Sequence, residues 1–166
     1  MSYFSTPKKI DITVSAGTNG NRDVVLGKVI SILNQVAEAR FDGQNTKYVN
    51  NMQPEIDFNQ DRDLVYGYFD SGIANIIKRI EPYVVSYSDG VLSLSFPENW
   101  KQSQQTVLET KINEYLVHYI ISQWVEKVSV DDVPLYTEKA NQLLREIKGV
   151  CELRKGAVHR GWDTTY

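Results

Sequence analysis

The clearest pattern in the chain lies in its middle. Leu64, Val65, Tyr68, Phe69, Gly72, Ile73, Ile76, Ile77 and Ile80 repeat at i, i+1, i+4, i+5. That spacing puts one apolar stripe on a helix over about 61–81, and Pro82 ends it. Val25, Leu26, Val29, Ile30, Leu33, Val36 and Ala37 make a similar stripe, which predicts a helix from Asn21 or Asp23 to about 40. Leu108, Ile112, Tyr115, Leu116, Tyr119, Ile120 and Trp124 form a wider band over about 103–127. A wide band predicts a central helix touched from more than one side. Tyr136, Ala140, Leu143, Leu144, Ile147 and Cys151 define the last helix, about 133–154, with Pro134 in its first turn.

Two stretches follow a period of two. Ile10, Ile12 and Val14 alternate with Asp11, Thr13 and Ser15, as in a half-buried strand or an extended arm. Residues 83–96 predict a hairpin around Asp89-Gly90, a dipeptide suited to the positive φ angles of a type I′ turn. That turn sets Tyr87 opposite Leu92, Val85 opposite Leu94 and Tyr83 opposite Phe96 on one face. Ser86–Ser93 and Val84–Ser95 fall on the other.

The fold class is therefore mainly α. About four helices form a small bundle, with one hairpin (about 83–96) and an extended N-terminal arm or strand. The predicted organisation is an arm or strand over 1–16, a single helical domain with a hairpin insertion over 17–154, and a tail over 155–166. Residues 41–60, rich in Asn, Gln and Asp, have no periodicity, and a loop of that length inside a domain is usually functional or mobile.

Composition narrows the function classes. The chain has 166 residues, 42% of them hydrophobic, and a net charge of −3. Bulk charge gives no reason to expect nucleic-acid binding. No stretch has the length of a membrane span, and the N-terminus lacks the apolar core of a signal peptide, so a cytoplasmic origin is expected. The single cysteine, Cys151, cannot form an internal disulfide and reads as a buried structural thiol. Ten tyrosines are compatible with protein–protein surfaces.

Chemistry-bearing motifs are weak. His118 and His159 have no partner at metal-ligand spacing. Asn59, Asp61 and Asp63 are spaced like the opening of a calcium loop, but its glycine and its distal Glu are missing, so helix capping is expected there and at Asp131-Asp132. SAGTNGN (15–21) lacks GK[ST] and GxGxxG, so it reads as a turn rather than a nucleotide site. No catalytic residue, cofactor or metal is expected.

The ending, CELRKGAVHRGWDTTY, is different. Arg154, Lys155 and Arg160 form the only basic cluster of the chain, and Trp162 and Tyr166 add rings without an apolar face. A frayed terminus is one reading. A segment that packs on another chain is the other.

The second half resembles a family. A helix ending near Pro82 leads to a DG hairpin, then PEN (97–99), then a long helix running into SQWVEKVSVDDVPLYTEKANQLLREIKGVCELRK (122–155). This order is similar to the head–tail connector (adaptor) proteins of tailed bacteriophages, of the type met in Bacteroidetes phages. Trp124, Asp131-Asp132, the 135–151 stripe and Arg154-Lys155 carry the likeness, which spans roughly 60–155. It implies a non-enzymatic virion protein at the head–tail junction, made in the host bacterial cytoplasm. The implied partners are further copies in a homo-oligomeric ring (a dodecamer), the portal protein, tail or stopper proteins, and DNA passing through the channel. No membrane is implied. In that setting Arg154, Lys155, Arg160, Trp162 and Tyr166, with Ile10, Ile12 and Val14 of the arm, are the candidate partner-binding residues. A stopper or tail-completion role, a cellular interaction module, an enzyme with dispersed carboxylates and a helix-turn-helix module are the alternatives. The acidic 126–138 segment opposes the last of these.

Overall fold

A computed structural model describes residues 6–14, 21–40, 61–128 and 130–154. Among these residues, four helices and three strands follow the predicted order: β1 (Lys8–Thr13), α1 (Asn21–Arg40), α2 (Arg62–Arg79), β2 (Val84–Ser88), β3 (Val91–Phe96), α3 (Gln105–Val128) and α4 (Val133–Glu152). Short 3-10 turns precede β2, α3 and α4. The protein is mainly helical, as the periodicity requires.

The wide apolar band makes α3 the central helix. It packs against α1, α2, α4 and β1. Leu108, Ile112, Leu116 and Ile120 are fully buried along it. The helices α2 and α3 run antiparallel. Lys127 near the end of α3 lies 5.9 Å from the ring centroid of Tyr68 early in α2, and Gly72 faces Leu116 and Tyr119.

Residues 8–13 form a strand and not a free arm. β1 pairs antiparallel with β3, Ile10 opposite Leu94 and Ile12 opposite Leu92, giving the sheet order β1-β3-β2. The hairpin is thus part of a three-stranded sheet. The inner face carries Ile10, Ile12, Val14, Leu92, Leu94 and Phe96, all buried. Burial of such a side chain is worth about 1.5–3 kcal/mol, so the alternation of β1 is fully used by its own body. On the outer face Ser93 Oγ donates to Asp11 Oδ1 at 2.6 Å.

The turn is as expected, with φ of 49° at Asp89 and 75° at Gly90. The expected register holds for Tyr87–Leu92 and Ser86–Ser93, then fails. Val84, not Val85, pairs with Leu94, because the register shifts between Val84 and Ser86. Val85 is left 55% exposed. Val85 is the extra residue of a bulge, and Tyr83, in the 3-10 turn Glu81–Tyr83, still stacks on Phe96 with ring centroids 5.1 Å apart.

The expected caps also differ. Asp61 and Asp132 occupy the cap positions of α2 and α4, but neither makes a side-chain cap hydrogen bond. Both have helical backbone angles, φ −98° and ψ 0° at Asp61, φ −92° and ψ −14° at Asp132. A capping side chain needs the extended region to reach back to the free N–H groups.

Candidate functional site

The best-built polar feature lies where α4 ends. Pro97 stops β3, and the chain turns so that Trp100 drops into the core, fully buried. Its ring stacks on Phe96 at 4.2 Å between centroids, with 12° between planes. Phe96 in turn stacks on Tyr83. Trp100 Nε1 donates to the Val150 carbonyl at 3.0 Å, tying the turn to the last turn of α4. Just beyond, Arg154 forms an isolated antiparallel bridge with Trp100, and Lys101 N–H donates to the Leu153 carbonyl.

Arg154 does not reach away from the body. Its Nη1 donates to the Cys151 carbonyl at 2.8 Å, and its Nη2 donates to Tyr83 Oη at 3.3 Å. The guanidinium carbon lies 5.9 Å from the Tyr83 ring centroid. A cation on the last carbonyls of a helix is a favourable C-terminal arrangement. Arg154, expected to meet a partner, therefore clamps the end of α4. Lys8, at the start of β1, reaches the same corner: its Nζ is 3.5 Å from Gln102 Oε1.

Titratable groups elsewhere are built for packing. Burial pushes the Tyr115 phenol up to about 12, against an opposing hydrogen bond with Asn75. Burial likewise pushes the Cys151 thiol up to about 12, so it stays protonated and a poor nucleophile. Burial also lowers the pKa of His118, helped by the Lys139 ammonium and opposed by Glu114. The His118 ring lies 6.3 Å from that of Tyr136, and its Nδ1 is buried without a hydrogen-bond partner, as is Asn113 Oδ1. Among the described residues no three His, Cys, Asp or Glu side chains converge to hold a metal ion.

Glu146 is the ionised exception. It accepts from Lys111 Nζ across α3 and α4 and from Gln142 along α4, and these bonds hold its carboxyl below the usual 4.5. A depressed carboxyl contributes stability that is complete above its ordinary pKa and is lost as pH falls through the folded value. Glu146→Gln is therefore expected to flatten the acid limb of a melting-temperature profile below about pH 4.5. The effect is small, about 0.2–1 kcal/mol, because the pair is partly exposed. An unchanged acid limb would remove the pair from the stability account.

The candidate residues separate into three groups. Ile10, Ile12 and Val14 belong to the protein's own core, which corrects their assignment to partner contact. Arg154 belongs to the clamp. Lys155, Arg160, Trp162 and Tyr166, with His159 and the 41–60 loop, lie outside the described residues. Sequence reasoning missed Trp100, Tyr83, Lys8 and Lys101 as neighbours. A lone Trp in the polar run PENWKQSQQ was the available signal, since a ring that size in a turn needs a place to bury.

No helix among the described residues is long and apolar enough to cross a membrane. No protein-family model, curated protein or solved structure matches the chain.

Proposed function

We propose that this protein is a non-enzymatic structural component of a tailed-phage particle, a head–tail connector that forms a ring under the portal and joins capsid to tail. The observation that carries the reading is the clamp at the end of α4. Arg154, bonded to Cys151 and Tyr83 and bridged to Trp100, gives the following segment a fixed point of departure. That segment, 155–166, carries the cation Lys155 together with Arg160, Trp162 and Tyr166, residue types that dominate binding energy at interfaces. A helical body followed in sequence by a basic, aromatic segment suits a subunit that grips a neighbour in a closed assembly. The resemblance over 60–155 points the same way.

Deleting 156–166 is expected to leave the helical fold intact and to abolish assembly. Circular dichroism reads the first and particle reconstitution the second; unchanged assembly would defeat the proposal. Copy number in purified particles tests the placement. About a dozen copies fits a cyclic ring at the junction, about half that points to a stopper, and hundreds to a tube or capsid component. Absence from particles would leave a cellular interaction module.

A further inference from the structure

The bundle is electrically polarised along its axis. Because α2, α3 and α4 alternate in direction, the start of α2, the end of α3 and the start of α4 share one end. Asp63, Glu126 and Asp131 are exposed there, with Asp132 and the cations Arg62 and Lys127 in the same turns. Beside them Leu135 is 67% exposed. The opposite end gathers the end of α2, the Trp100 turn and the end of α4. Lys78 and Arg79 close α2 there, and Lys8, Lys101 and Arg154 surround the turn. Among the described residues Glu81, Glu98 and Glu152 are acids of that end, Glu152 beside Lys148 at 3.8 Å. Leu153, 40% exposed, sits among the cations. The 20 residues of α4 hold the two ends roughly 30 Å apart.

Each end thus presents one large exposed aliphatic side chain, amid an excess of acids at one end and of cations at the other. We propose that copies of this chain associate head to tail, the end carrying Glu126, Asp131 and Leu135 docking on the next copy's end carrying Lys8, Lys101 and Leu153. The occupant of each end is a second copy because the same chain supplies both complementary surfaces. Such a contact is heterologous. It leaves one end of every copy open until a ring closes. The inference rests on the ring reading and gives it an interface.

The test uses full-length chains in sedimentation at low and high salt. The wild type is expected to associate and to dissociate as salt screens the ends. Glu126→Lys with Asp131→Lys in one variant, and Lys8→Glu with Lys101→Glu in a second, should each weaken self-association by about tenfold or more, since like charges then face each other. Mixing the two variants should restore it, because each carries what the other lacks. If a reversal fails to fold, Asp131→Asn and Lys101→Gln are expected to give a smaller loss each. Association that ignores both reversals, or a mixture that stays dissociated, overturns the inference and leaves the ring reading standing. Charge-dependent association into open filaments supports the inference and defeats the ring reading. A wild type that stays monomeric overturns both.

Discussion

Replacing Trp100 with Ala is expected to be the most damaging single change in the body, costing about 3–5 kcal/mol of unfolding free energy. Three losses coincide. The ring is completely buried, so its removal leaves a cavity beneath the sheet. The stack on Phe96 disappears, and with it the middle of a run that continues to Tyr83. The Val150 carbonyl loses the indole donor and keeps only the Leu153 N–H at 3.3 Å, which forfeits about 0.5–1.5 kcal/mol. For a domain of marginal stability this is a large part of the total. Urea unfolding followed by circular dichroism measures it. Trp100→Phe separates the parts, since it keeps a ring for Phe96 but still deprives Val150. A cost below about 1 kcal/mol for Trp100→Ala would mean that the corner does not hold α4 to the sheet.

The second large effect is expected at Gly72. A Cβ there would lie 2.8 Å from Leu116 Cδ2 and 3.0 Å from Tyr119 Cδ1, inside ordinary contact. The glycine lets α2 approach α3 closely. Gly72→Ala gains about 1 kcal/mol of helix propensity and loses a comparable amount to crowding, so its net effect is small. Gly72→Leu gains nothing further and must displace a fully buried Leu116, at a cost of about 3 kcal/mol. Adding Leu116→Ala should return part of that loss, because the two side chains compete for one volume. Additive costs in the double variant would show that they do not.

Much of the fold was legible because helical and strand periods differ. The stripes of α2 and α4 set their elements within a few residues, and Asp89-Gly90 set the turn. What stayed hidden depends on partners distant in sequence. The alternation of Ile10, Ile12 and Val14 reads equally as an arm or an edge strand until β3 is placed beside it. Val85 looks inward by pure alternation, and the bulge that turns it outward shows only once β2 is laid against β3. Asp132 has the right chemistry for a cap, but the helical backbone before it removes the geometry. Arg154 belongs to a basic cluster in the sequence, yet Tyr83 and the Cys151 carbonyl claim it in the fold. The polarity between the two ends was equally invisible, since it arises from residues as far apart as Lys8 and Arg154.

The pairing of β1 with β3 also sets an order of events during synthesis. Asp11 and Ser93, hydrogen-bonded in the sheet, are 82 residues apart. At about 5–20 residues per second, β1 leaves the ribosome several seconds before its partner exists. For that interval Ile10, Ile12 and Val14 travel as an unpaired apolar strand on the nascent chain. β1 waits for β3, and the helices α3 and α4 follow later still, so an early chaperone would find its binding segment in β1.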